Sequence, residues 1–296
     1  MLYAWVNVRL YEHSVNTMGL MLGLFSRDES PNSAELRKGH ELRVIARKLR
    51  VEPELLMLAS SVAALLHDAG KAAKEYQESV RQHRPYFTCH ELTSGWITQE
   101  VLDYILIDIA GVEHSRAMML SGIAATAVLR HHHGMRSLAS CRGAARRLVR
   151  GLDSGSLRLL TDEFDRGSLG GLVANALCRV GRTRIPSPLE AEARVRRRIV
   201  KLADRDLVVA AAVSTLTGLL AAADYLAASL LDGRESCKGV DVGLLYPRGY
   251  ARHVLRELGL CGEACGGAQL ASRLREIVKG GVEAAEAAAA RLGLRV

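Results

Sequence analysis

Aromatic side chains are scarce in this chain. Phe, Trp and Tyr make up only 4% of its 296 residues, which excludes a core built on stacked rings. Burial falls to Leu, Ala and Val, a composition that favours helices over strands. Asn and Gln are rarer still, four of each, and lysine is sparse. The net charge of +8 therefore comes from arginine, 33 residues against 7 Lys. No CxxC occurs among the cysteines at 89, 141, 178, 237, 261 and 265. Cys261 and Cys265 form a CxxxC that supplies only half of a tetrahedral zinc site. Free buried thiols in a reducing, cytoplasmic setting are the default expectation. The opening MLYAWVNVRLYEH lacks a basic segment followed by an apolar run, so no signal peptide is expected. A Walker A loop, a Rossmann glycine fingerprint, an internal repeat and a strong strand are all missing, which turns the search away from nucleotide-binding α/β folds.

What is present is a succession of helical patterns. Residues 8–25 form the first, and 26–36 a polar loop. The 35–51 stretch has apolar residues at 42, 45, 46 and 49, at helical spacing. Pro53 opens a helix over 54–68 that is apolar almost all round and therefore central, with Gly70 as its C-terminal stop. Further helices start near His90 and over 119–134. Residues 135–190 break the pattern and read as a loop-rich insertion with room for a short hairpin. A basic helix, an apolar helix over 207–231 and an Ala-rich C-terminal helix follow. The apolar helix carries Asp224, which marks it as a core helix rather than a membrane span. The expected fold is an all-α bundle: a domain over 1–234 and a helical extension over 235–296 packed on it.

Polar groups at the ends of these apolar helices carry the chemistry: His67-Asp68, the run His131-His132-His133, and Asp224, with His90 and either His13 or His40. Burying such groups is costly unless they are paired or bind a metal. Imidazole and carboxylate together suit Mn, Fe, Ni, Co or Zn, and six or seven such ligands are enough for two ions.

The stretch AALLHDAGKA resembles the signature of the HD superfamily of metal-dependent phosphohydrolases. The HDxGKA run followed by Tyr76-Gln77, then His90-Glu91, then HHG, then ADYLAAS is similar to the HD nuclease of type I CRISPR interference in its stand-alone archaeal form. This chain has one more alanine before that last serine than the family pattern. The resemblance spans roughly 10–230 and keeps the motifs in order. It implies a helical bundle with a metal site at its centre. His67, Asp68, His90 and Asp224 match family ligands, with Asp68 bridging two ions. The glycine after the histidine run favours His132 and His133 as the ligand pair, with His131 as the alternate. His13 matches the LxxHxxxT entry helix; His40, 27 residues before His67, keeps a spacing common in the wider superfamily. Lys71 matches the lysine that faces the scissile phosphate.

The resemblance further implies two divalent ions (Mn, Mg, Ni, Co or Fe) that clamp a phosphodiester and supply the attacking water. The substrate would be single-stranded DNA, with RNA as a possibility, and a separate CRISPR helicase subunit and surveillance complex would be partners. Two basic runs offer a path for the strand. Arg142, Arg146 and Arg150 share one helix face, and Arg194, Arg197, Arg198 and Lys201 follow later. A solvated face, genome composition or heat adaptation would explain the same arginines. Two other readings stand: a nucleotide phosphohydrolase with the same site, and a non-catalytic HD scaffold. His83, His114 and His253 match no role.

Overall fold

The computed structural model describes residues 1–25, 41–84, 89–132, 141, 151–203, 206–232, 255, 260 and 267–294. Among them are eleven α-helices and one two-stranded antiparallel hairpin, so the fold is all-α. The helices are α1 (Leu10–Phe25), α2 (Glu41–Leu49), α3 (Pro53–Leu66), α4 (Lys74–Arg81), α5 (His90–Asp103), α6 (His114–Arg130), α7 (Ser154–Phe164), α8 (Gly167–Val180), α9 (Pro188–Ala203), α10 (Leu207–Leu230) and α11 (Gly267–Arg291). A short 3₁₀ turn spans Ala69–Ala72.

Proline in its first turn starts α3. Acidic caps start three other helices. Glu113 accepts from the amides of Ser115 and Arg116, Asp153 from Ser156, and Asp206 from Val208. Every α3 side chain from Leu55 to Leu66 is buried, and α1, α2, α5, α6 and α11 surround it. The central position expected of this helix is therefore observed.

The C-terminal helix α11 lies across α1 and α3, with Leu274, Ala285, Ala288 and Ala289 in the same core as the rest. Glycines set this packing. A Cβ on Gly281 would stand 1.9 Å from the carbonyl oxygen of Gly19, and one on Gly23 would stand 2.3 Å from that of Ile277. The two backbones touch because neither helix presents a side chain there. Helix α10 is long and apolar enough to cross a membrane, yet half of its most apolar window is buried inside the protein. It packs on α1 and α6.

Three features depart from the sequence expectations. The hairpin is at the N-terminus, Tyr3–Trp5 with Val8–Arg9, where a helix was expected from residue 8. Asn7 takes the left-handed turn conformation between the strands, with φ 61°. Within 151–190 the described residues hold helices and no strand. Leu157, Leu160 and Phe164, then Leu169, Leu172, Val173 and Leu177, recur at helical spacing and are buried. Frequent Ser and Gly disguise that pattern. Finally, Cys89 and Cys141 form a disulfide across 52 residues, with Cα atoms 5.4 Å apart, where free thiols were expected. Cys178 is a free, exposed thiol.

Neighbouring glycines separate close approach from chain flexibility. Gly281→Ala should cost about 1–3 kcal/mol through overpacking. Gly280→Ala, with nothing within 4 Å of the new Cβ, should add about 0.5–1 kcal/mol of helix propensity. Urea melts of the two variants check the contrast.

Candidate metal centre

Two histidines reach the site by the same device. His67 and His131 are the C-caps of α3 and α6. Each turns Nδ1 back on its own helix, to the Ala64 carbonyl at 2.7 Å and the Val128 carbonyl at 2.6 Å. A carbonyl can only accept, so Nδ1 carries a proton and Nε2 is the nitrogen left facing away from the helix. Both rings thereby aim Nε2 into the space between the helices. His13 comes from the first turn of α1, His90 starts α5, His132 follows His131, and Asp224 projects from α10.

These donors converge on Asp68, whose side chain is 1% exposed. On the side of its Oδ2, the Nε2 atoms of His13 and His67 lie 3.4 and 3.6 Å away and 3.2 Å from each other. Asp224 Oδ1 is 3.1 Å from His13 Nε2 and 3.7 Å from His67 Nε2. On the side of Oδ1, His90 Nε2 is at 2.8 Å, and His132 Nε2 lies 3.2 Å from His90 Nε2. Three sets of ligand atoms lie within 4.8 Å of one another: Asp68 with His90, His131 and His132; Asp68 with His13 and His67; and Asp224 with His67 and His131.

The donor chemistry fits a cation. Two nitrogens each ~2.1 Å from a shared ion at 90–110° stand roughly 3.0–3.4 Å apart, and the two facing imidazole pairs match that. His131 Nε2 is buried without a hydrogen-bond partner, and Asp68 Oδ1 has only the His90 Nε2 contact at 2.8 Å, so His131 Nε2 is left for something other than protein.

Electrostatics favour the same use at His131 and His132. Burial lowers the His131 pKa to about 4, with the neighbouring His67 adding to the effect, and burial together with His131 holds His132 well below 6.5. Both are therefore neutral at pH 7. Burial opposes a charge on His13, but the carboxylates of Asp232, Asp224 and Asp68 outweigh it and raise its pKa well above 6.5. Burial would likewise raise Asp68 and Asp224; Lys71 and the histidines hold the first well below its usual range, and His13 and His67 the second.

The structure brings together His13, His67, Asp68, His90, His131, His132 and Asp224. His131, the alternate in the histidine run, is inside the cluster. His133, His40, Arg142, Arg146 and Arg150 lie outside the described residues. Lys71 was expected to face a phosphate. Its ammonium pairs with Asp68 Oδ2 at 2.5 Å and is 7% exposed, giving the buried carboxylate a counter-charge. Arg198 is also occupied, 2.6 Å from Asp103 Oδ2 and hydrogen-bonded to Ser121. Asp103 ends α5, about 20 Å along the helix from His90 at 1.5 Å per residue. Arg198 therefore lies at the far end of α5 from His90. Arg197 and Lys201 are exposed and Arg194 is half-buried.

Three supporting residues escaped the sequence reading. Gly70 does not stop α3, which ends at Leu66. A Cβ on it would stand 2.2 Å from the His90 carbonyl oxygen, so its absence lets the start of α5 lie on the His-Asp turn. The Gly70 amide also donates to Ser94 Oγ at 2.8 Å. Gln77, noticed only as a motif residue, ties the N-terminal hairpin to the Lys71 carbonyl. Asp232 holds His13 Nδ1 at 2.6 Å, and no spacing rule points to it.

Acid titration should report on this burial. An unfolded histidine takes its proton near pH 6.5, whereas His131 in the fold resists until about 4. Between those values the unfolded chain binds more protons, so the metal-free protein loses stability as pH falls through that window. His13 works the other way: its contribution is complete below 6.5 and is lost as pH rises through its raised value. His131→Gln should flatten the acid slope in melts between pH 7 and 4.5.

Comparison with known proteins leaves the centre to its own geometry: no family model, curated protein or solved structure matches the chain.

Proposed function

We propose that the chain is an HD-type metal-dependent phosphodiesterase that degrades single-stranded DNA in CRISPR interference. One observation carries this reading. Five histidines and two aspartates meet among buried helices in overlapping sets of potential ligands, and Asp68 belongs to two of the sets. The order of the HDxGKA, His-Glu, histidine-run and ADYLAAS motifs along the chain supports the nuclease assignment over other metal-binding roles.

His13, His67, Asp68 and Asp224 would hold one cation, and Asp68, His90, His131 and His132 a second. Bound divalent ions supply Lewis acidity and an activated water at neutral pH. The chain's own residues do the rest. The carboxylate of Asp68 offers one oxygen to each half. Neutral His131 and His132 keep their lone pairs available at pH 7. Deep burial of the donors excludes bulk water and strengthens every charge–charge interaction. Asp224, 13% exposed, and His132, 9% exposed, are the most accessible members, so a phosphodiester would approach from their side. Lys71 lies against Asp68, placed to balance charge that develops on phosphate oxygens there. Exposed Arg197 and Lys201 would contact the strand at a distance from the chemistry, giving sequence-independent, salt-sensitive binding.

Labelled single strands, duplexes and dNTPs incubated with Mn, Mg, Ni or EDTA test the proposal. Single strands should be cut with a divalent ion and spared in EDTA. Asp68→Ala should lower the rate by at least about 10³-fold, the scale on which single catalytic groups act. Turnover of dNTPs with strands intact would point to a nucleotide phosphohydrolase. Undiminished cleavage by Asp68→Ala would remove the metal centre from the mechanism.

A further inference from the structure

Helix α10 grips the His13 ring from both edges. Asp224, within the helix, lies 3.1 Å from Nε2. Asp232, eight residues later and just past the helix end, lies 2.6 Å from Nδ1. The Asp232 side chain is 1% exposed. Its second oxygen accepts from Asn16 Nδ2 at 3.0 Å, and its own amide donates to the Ala227 carbonyl at 3.1 Å. Asn16 lies one turn beyond His13 on α1, so the carboxylate spans two side chains of one helix face. Asp232 belongs to none of the ligand sets, because the imidazole stands between it and Asp68.

We infer that Asp232 is a positioning residue for the metal centre: its carboxylate holds the Nδ1–H of His13, so that Nε2 faces the cluster as a strong donor. The inference rests on the metal-site reading of the cluster and does not depend on which substrate is cut. The physical reasons are orientation and charge. A ring whose far nitrogen donates to a carboxylate is fixed in tautomer and rotation, and its near nitrogen becomes more basic toward a cation. His67 and His131 receive only a neutral backbone carbonyl at the same position, and His90 Nδ1 has the Glu91 carboxylate at 3.8 Å, whereas His13 has a carboxylate at 2.6 Å.

The test uses the full chain freed of metal and titrated with Zn(II) or Mn(II) against a chromophoric chelator. Asp232→Ala should bind the ion about 10- to 100-fold more weakly. Asp232→Asn, which keeps the shape and an oxygen able to accept from Nδ1–H, should lose less. Metal-free Asp232→Ala should melt below the parent, because buried His13 loses its nearest carboxylate, so affinities are compared at a temperature where every variant is folded. With Zn(II) bound, one exchange-protected imidazole N–H resonance present in histidine-labelled parent protein should be absent from Asp232→Ala. If both variants bind the ion as the parent does while Asp68→Ala does not, the positioning role is overturned and the metal site survives. If Asp68→Ala also binds like the parent, the metal reading fails and takes this inference with it. Equal losses in Ala and Asn variants, matched by equal falls in melting temperature, would assign Asp232 a purely structural role instead.

Discussion

The carboxylate of Asp68 is the constraint around which the molecule is arranged. It is ionised and almost wholly removed from water, a state that costs several kcal/mol unless compensated. Lys71, His13, His67 and His90 supply that compensation from the short 3₁₀ turn, α1, the end of α3 and the start of α5. Each must be delivered to within a few ångströms, so the paths of four chain segments are tied to one side chain. The same arrangement leaves Nε2 of His131 buried without a hydrogen-bond partner. A fold that ends its central helix on a residue such as Asp68 has spent stability there, as functional sites do.

Helix ends build most of the centre, and Asp224 joins them from within α10. His67 and His131 each close onto the last turn of their own helix, so the backbone that terminates the helix also sets the tautomer of the ligand. Close approach of the next element then matters as much as the donors themselves. Gly70 lets the first residue of α5 lie on the His-Asp turn. Glycines between α1 and α11 bring the C-terminal helix against the helix that carries His13. Chain beyond the ligand motifs is thus part of the frame that holds the first ligand. The disulfide between Cys89 and Cys141 adds a covalent tie immediately before His90.

The residues legible in the sequence were those that violate their surroundings. His67-Asp68 and Asp224 are polar groups on otherwise apolar helices, and the all-α fold follows from Leu, Ala and Val with almost no aromatics. What could not be read depends on distance in three dimensions. Which members of the histidine run face inward is a matter of where α6 ends, and His131 as its C-cap turns in. Asp232 is an ordinary polar residue after a helix until α1 is laid beside it. The role of Gly70 depends on a carbonyl 20 residues away in sequence. The pairing of Arg198 with Asp103 could not be read either, since the two lie 95 residues apart. In 151–190, helical spacing of Leu and Phe was masked by Ser and Gly, which weaken propensity without breaking a packed helix.

The central claim is that the cluster around Asp68 is a metal centre. Anomalous diffraction from crystals soaked in Mn(II) tests it most directly. The account predicts anomalous peaks within about 2.0–2.4 Å of the Nε2 atoms of His13 and His67 and of both oxygens of Asp68, with Lys71 displaced from its contact with that carboxylate. A map with no anomalous density there, and Lys71 still paired with Asp68 at saturating Mn(II), would contradict it.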